Sequence, residues 1–126
     1  MTREQILVVE DNEKSMKLFR DVLQATGYRT LEATTGRQAL ELAIEHAPDL
    51  VLMDIRLPDI DGVEALRRLR TDGRTASIPV LAVTAQAMHG DRERFIAAGF
   101  DGYISKPVNV VELVGTVRQH CDGCGR

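Results

Sequence analysis

Five positions in this sequence combine reactive side chains with a repeated setting, since each follows an apolar run. Glu10 and Asp11 follow Ile6-Leu7-Val8-Val9, Asp54 follows Leu50-Val51-Leu52-Met53, Thr84 follows Ile78 to Val83, and Lys106 follows Gly102 to Ser105. Three carboxylates gathered at one rim repel one another unless a cation lies among them. A small hard divalent ion, Mg²⁺ first, takes oxygens from one or two carboxylates, a backbone carbonyl and waters, and leaves room for phosphate oxygens. Glu10, Asp11 and Asp54 fit that need. Asp54 is the candidate nucleophile, because carboxylates form acyl phosphates in phosphoryl transfer. That reaction asks a protein mainly for positioning and charge neutralisation. Lys106 would supply a fixed positive charge and Thr84 a hydroxyl donor. Taken alone, Asp54 reads better as a turn residue or helix cap, and Lys106 as a surface lysine. Their joint placement at run ends, with Pro107 fixing a turn that aims Lys106, favours the chemistry.

The elements that must position these residues follow from periodicity. Leu50 to Asp54 is a short apolar run bounded by the loop residues Pro58, Asp59, Asp61 and Gly62, the pattern of a strand buried on both faces, although periodicity does not separate it from a piece of buried helix. Ile6–Val9 and Ile78–Val83 read as further strands, Tyr28–Ala33 as a more polar strand near a sheet edge, and Gly102–Ile104 as a brief fifth. Between them, Met16, Phe19 and Leu23 recur at helical spacing from Glu13 to Thr26, with Gly27 as the stop. Thr35 with Gln38 forms a capping box for a second helix that Pro48 closes off, and Asp61 with Glu64 caps a third. The arginines of that third helix, Arg67, Arg68 and Arg70, read as a solvated face. A weaker helix from His89 to Ala98 stops at Gly99, and Asn109 with Glu112 opens the last, whose face is Leu113, Val114 and Val117. The order βαβαβαβαβα implies a parallel sheet covered on both faces, with right-handed crossovers. Ligands of such sheets bind outside the carboxyl ends of the strands, where all five reactive positions would lie.

At 126 residues the chain has the length of one domain, residues 1–126, with a core of about 6–120 and a frayed tail at 121–126. Apolar residues at 44% and charged residues at 28% are near the globular average, which suggests neither disorder nor a membrane class. A net charge of -3 with interspersed Lys and Arg gives no basic patch for nucleic acid. No signal peptide or membrane span is visible, so a cytoplasmic protein is expected. Cys121 and Cys124 lie in the last six residues and, with His120, offer three zinc ligands where a structural site takes four; they read as a tail feature. His46, His89 and His120 have no metal spacing.

Val9-Glu10-Asp11, Met53-Asp54, Leu57-Pro58 with Gly62, Val83-Thr84-Ala85 and Ser105-Lys106-Pro107 together resemble the receiver domain of two-component response regulators. The resemblance covers roughly Ile6 to Val117, and Met16-Lys17-Leu18-Phe19, Ala85-Gln86-Ala87-Met88 and Tyr103 to Pro107 are most similar to stand-alone, single-domain receivers. It implies a flavodoxin-like, doubly wound five-stranded parallel sheet of order 2-1-3-4-5 with five helices. It further implies Asp54 as phosphoacceptor, Glu10 and Asp11 as the acidic pair for Mg²⁺, a metal ligand in the backbone carbonyl of Arg56, phosphoryl contacts from Thr84 and Lys106, and a switch made of Thr84 and Tyr103. Arg56 and Gln86 occupy positions that in this family influence phosphoryl lifetime.

A phosphoryl group adds about two negative charges and three acceptor oxygens at one point. Thr84 swinging toward that charge and Tyr103 filling the vacated space would form a bistable local element. The expected partners are a histidine kinase or His phosphotransfer protein as donor and a separate downstream protein; nucleic acid and membrane are not expected, and homodimerisation through the last two helices is one option. The chain is not expected to be an enzyme beyond accepting and losing its own phosphoryl group. Two other readings compete: a phosphorylation-independent scaffold of the same fold, and an aspartyl-nucleophile phosphatase. Phosphatases of the haloacid dehalogenase type carry a second Asp two residues after the nucleophile, where this chain has Arg56.

Overall fold

The computed structural model describes residues 4–85 and 91–121, the side chains of Asp91, Arg92 and Cys121 excepted. Strands and helices alternate as β1 (Gln5–Val9), α1 (Glu13–Thr26), β2 (Arg29–Ala33), α2 (Gly36–His46), β3 (Leu50–Asp54), α3 (Gly62–Thr71), β4 (Val80–Thr84), α4 (Asp91–Ala98), β5 (Gly102–Ser105) and α5 (Val110–Cys121). All four strand pairings are parallel, in the order β2-β1-β3-β4-β5. The doubly wound sheet expected from sequence is therefore present. Gln86, His89 and the tail with Cys124 lie outside the described residues.

Side chains of a strand point alternately to opposite faces, and the two cores of this protein follow that rule. Leu7 and Val9 of β1, Val51 and Met53 of β3, and Val80 and Ala82 of β4 pack with Ala39, Ala43, Leu66, Leu69, Phe95 and Phe100 on the face covered by α2, α3 and α4. Ile6, Val8, Leu50, Leu52, Leu81 and Val83 pack with Met16, Phe19, Leu23, Leu113 and Val117 beneath α1 and α5. Every residue of β3 and β4 is buried, as a central strand with helices on both faces requires. The edge strand β2 is the more polar one, with Arg29 and Glu32 exposed.

Local signals set the boundaries. Asn12 Oδ1 accepts from Ser15 N at 3.1 Å to open α1, and Gly27, at φ 106°, ends it. Thr35, Asp61 and Asn109 cap α2, α3 and α5 in the same way, through the amides of Gln38, Glu64 and Glu112. The expected boxes are only half formed, because Gln38 Oε1 accepts from Thr34 N and Glu64 binds Arg67 and Arg68.

The solvated-face reading of the α3 arginines holds for Arg67 and Arg68 and fails for Arg70, whose side chain is 27% exposed. Its Nη1 donates to the carbonyls of Ile78 (2.6 Å) and Ala76 (3.2 Å), and its Nη2 to Gly99 O (3.2 Å) and Asp101 Oδ2 (3.0 Å). That carboxylate also accepts from Val80 N at 2.8 Å. Ile78, expected to begin β4, belongs to this turn instead; its amide donates to Thr75 O. None of the described helices is long and apolar enough to cross a membrane.

Candidate functional site

The sheet reverses its winding between β1 and β3, and the crevice at the carboxyl ends of these two strands is where Glu10, Asp11 and Asp54 come together. The Glu10 amide donates to Ala33 O at 2.9 Å, extending the strand ladder by one residue. Its side chain is 1% exposed. Oε2 accepts from Asn12 N at 3.1 Å, so the cap of α1 also fixes the acid beside it. Asp54, buried at the last position of β3, accepts from Arg56 N at 2.9 Å through Oδ1 and from Lys106 Nζ at 3.3 Å through Oδ2. Lys106 is delivered by β5, its amide donating to Thr84 O at 2.8 Å. Its ammonium also lies 2.8 Å from Glu10 Oε1. One cation thus bridges two buried acids, and the exposed Asp11 stands beside them.

Carboxylate oxygens of Glu10, Asp11 and Asp54 all lie within 4.8 Å of one another. Burial, joined by the charge of Asp54, pushes the Glu10 carboxyl above its ordinary range, with Lys106 pulling the other way. For Lys106, burial alone would lower the ammonium; the hydrogen bonds and charges of Glu10 and Asp54 outweigh it and hold it above its ordinary range. Glu10 Oε1 is buried, and the Lys106 ammonium at 2.8 Å is its charged partner. Among the described residues, three carboxylates crowd together and one ammonium contacts two of them, Glu10 and Asp54. An all-oxygen cluster of this kind fits a hard divalent cation.

A cavity of about 250 Å³ opens onto this cluster. Besides the three acids it is lined by the buried Thr84 and by Lys106 and Arg56, so the structure gathers every catalytic and metal position expected from sequence. Tyr103 is elsewhere: half-buried, it packs against the core under α2–α4 and borders a separate depression with Ile96, Glu112 and His120. Arg94 and Phe95 of α4 also line the acidic cavity, with the guanidinium 5.2 Å from the ring centroid. Sequence reasoning missed both, because a helix read only for its apolar period does not reveal which turn overhangs a site on another strand. Gly62 shows why the loop after Asp54 must return to a glycine. A Cβ there would lie 2.5 Å from Asp54 O and 2.9 Å from Ile55 Cα, so only glycine lets α3 begin against the backbone of the central acid.

Residues 6–118 match the family model described as response regulator receiver domain. The polar-differentiation response regulator DivK of Brucella anthropi is 49% identical over 115 residues, spanning 91% of this chain and 94% of that protein. Among solved structures, the receiver domain of sensor histidine kinase PA1611 from Pseudomonas aeruginosa PAO1 is similar with a TM-score of 0.88 at 35% identity, over 96% of this chain and 99% of that one. That structure has a magnesium ion coordinated in its active site cleft. The signal receiver domain of a histidine kinase from Syntrophus aciditrophicus gives a TM-score of 0.87 at 31% identity, over 98% and 93% of the two chains.

Proposed function

This chain belongs to the response regulator receiver family, and from that membership we propose that it is a single-domain response regulator that takes a phosphoryl group onto Asp54 and changes its protein contacts in response. The observation that carries this reading is the cluster itself: a buried Asp54 joined to Lys106 at 3.3 Å, with Glu10 and Asp11 within 4.8 Å. Glu10, Asp11, Asp54 and the Arg56 carbonyl would hold Mg²⁺. When bound, that ion supplies charge neutralisation and alignment for the phosphoryl oxygens.

In the transfer, a carboxylate oxygen of Asp54 attacks the phosphorus of a phosphohistidine donor. The new P–O bond forms as the P–N bond breaks, and the bonding electrons leave with the donor imidazole, which takes up a proton from solvent. Lys106 is already directed at the Asp54 carboxylate and meets the charge that develops on the phosphoryl oxygens. The Arg56 amide, donating to Oδ1 at 2.9 Å, fixes the carboxylate plane before the donor arrives. Thr84, buried on the cavity wall, is placed to offer its hydroxyl to the same oxygens. The switch would run from Thr84 to Tyr103 and be read on α4, β5 and α5. The donor is a histidine kinase or His phosphotransfer protein, the receiver of the signal is a separate protein, and the setting is the cytoplasm. No separate substrate is turned over.

The contact between Asp54 and Lys106 disfavours a phosphorylation-independent scaffold, and Arg56 two residues after the nucleophile disfavours a phosphatase of the haloacid dehalogenase type. Intact mass after incubation with Mg²⁺ and acetyl phosphate tests the reading. A single phosphoryl adduct is expected in wild type, dependent on Mg²⁺ and absent from Asp54→Asn. No adduct in wild type, together with no beryllofluoride binding, would overturn it.

A further inference from the structure

The loop between β3 and α3 carries the Arg56 amide and carbonyl, and it is held from outside the acidic cavity. Its base is closed by Gly62 N donating to Ile55 O at 2.8 Å, and Leu57 and Ile60 pack on the core under α2–α4. Its tip is Asp59. Asp59 Oδ1 accepts from Gly36 N at 2.8 Å and Oδ2 from Arg37 N at 3.0 Å, the first two amides of α2. Thr35 Oγ1 takes the amide of Gln38. Amides in the first turn of a helix have no partner within it, so one carboxylate, 23 residues from Gly36 and 22 from Arg37, completes the set. The fit is close: a Cβ on Gly36 would lie 2.4 Å from Ile60 Cγ1 and 3.4 Å from Asp59 Oδ1. No residue of α2 lines the acidic cavity among the described residues.

Only Leu57 and Pro58 separate Asp59 from Arg56, and the ring of Pro58 removes one backbone rotation from that short lever. A shift at the tip must therefore reach the Arg56 peptide groups. We propose that Asp59 is a positioning residue for the phosphoryl and metal site: by latching the loop to the start of α2, it holds Arg56 where its amide meets Asp54 and its carbonyl meets the cation. The proposal rests on the receiver reading for the role of that carbonyl. It makes the α2 end a place from which metal affinity can be altered with no contact to the acidic cluster.

The test is a titration of the full chain with MgCl₂ followed by amide NMR shifts, without phosphodonor, so that binding is read separately from phosphorylation. Asp59→Ala should weaken Mg²⁺ binding about tenfold, the scale of losing a residue that orients a metal ligand. Gly36→Ala, which breaks the latch from the other side, should do the same. Asp59→Asn keeps one acceptor oxygen and should fall between Asp59→Ala and wild type. Arg70→Gln, which removes contacts at the opposite end of the sheet, should lower the melting temperature and leave Mg²⁺ affinity unchanged. Wild-type affinity in folded Asp59→Ala, or an equal loss in Arg70→Gln, would overturn the latch while the receiver reading stands. If Asp59→Ala does not fold, Asp59→Asn and Gly36→Ala carry the same comparison. A wild type that takes no Mg²⁺ would overturn the receiver reading, and the latch with it.

Discussion

The two ends of the sheet handle charge in opposite ways. At the carboxyl end, among the described residues, Glu10, Asp11 and Asp54 crowd together, and the Lys106 ammonium contacts two of them, Glu10 Oε1 at 2.8 Å and Asp54 Oδ2 at 3.3 Å. At the amino end, the Arg70 guanidinium donates to three carbonyls and to Asp101, whose carboxylate also takes the Val80 amide. An unmatched buried charge costs several times what a matched one does. The amino end has been completed by the chain itself, tying α3 to the turns before β4 and β5. The carboxyl end, where the described acids outnumber the ammonium that contacts them, has the chemistry to take a hard cation. Crowded like charge in one cluster, set against a guanidinium matched to its acceptors in another of the same fold, separates a site with binding chemistry from a structural buckle.

Gly62→Ala should break the comparison most severely, because it injures site and fold together. A Cβ 2.5 Å from Asp54 O meets backbone that cannot move without displacing the acceptor. A loss of ~3 kcal/mol in denaturant titrations is expected, with adduct formation slowed about a hundredfold. Arg70→Gln should separate the two ends. Carbonyls and a carboxylate left without their donor cost ~2 kcal/mol, while the rate of adduct formation stays at the wild-type value. A large rate loss in Arg70→Gln would mean that the two ends are coupled. Glu10→Gln should move stability and binding in opposite directions. Removing one of three crowded carboxylates weakens Mg²⁺ about tenfold and stabilises the metal-free protein, because the burial that holds the Glu10 carboxyl above its ordinary range no longer opposes a charge. Thermal melts with and without Mg²⁺ would read both.

How much of this was legible in the sequence follows the same division. The carboxyl end could be read because each of its residues ends a strand, and strands announce themselves locally; Glu10, Asp54, Thr84 and Lys106 needed only the strand order to be brought together. Helix α1 was legible to its termini because its apolar period runs from Glu13 and Gly27 stops it. The amino end could not be read. Arg70 has the same type and spacing as its exposed neighbours, and its partners are the carbonyls and carboxylate of residues 6 to 31 positions downstream, which no periodicity encodes. Asp59 hid for the same reason among loop-forming residues, its partners being amides 22 and 23 positions upstream.

The smallest expected effect is a pH dependence, and it bears on the crowded acids of the carboxyl end. Glu10 in the folded chain holds its proton above the ordinary value of 4.5. Over the window just above 4.5 the folded state therefore binds more protons than the unfolded state, and stability falls as pH rises. Asp59 and Asp72 work the other way. Backbone amides at the start of α2 and the Arg74 side chain, respectively, depress their carboxyls to about 2, so their contribution is present above the ordinary 3.8 and is lost as pH falls toward 2. The melting temperature of the metal-free protein should thus pass through a maximum near the ordinary carboxylate range and decline on both sides. Glu10→Gln should remove the neutral-side decline and keep the acid-side one, and Arg70→Gln should lower the whole curve without changing its shape. Saturating Mg²⁺ should also flatten the neutral side, because a cation among the three acids replaces the proton that Glu10 would otherwise retain. A decline that survives both Glu10→Gln and Mg²⁺ would place its source outside the acidic cluster and remove the distinction between the two ends of the sheet.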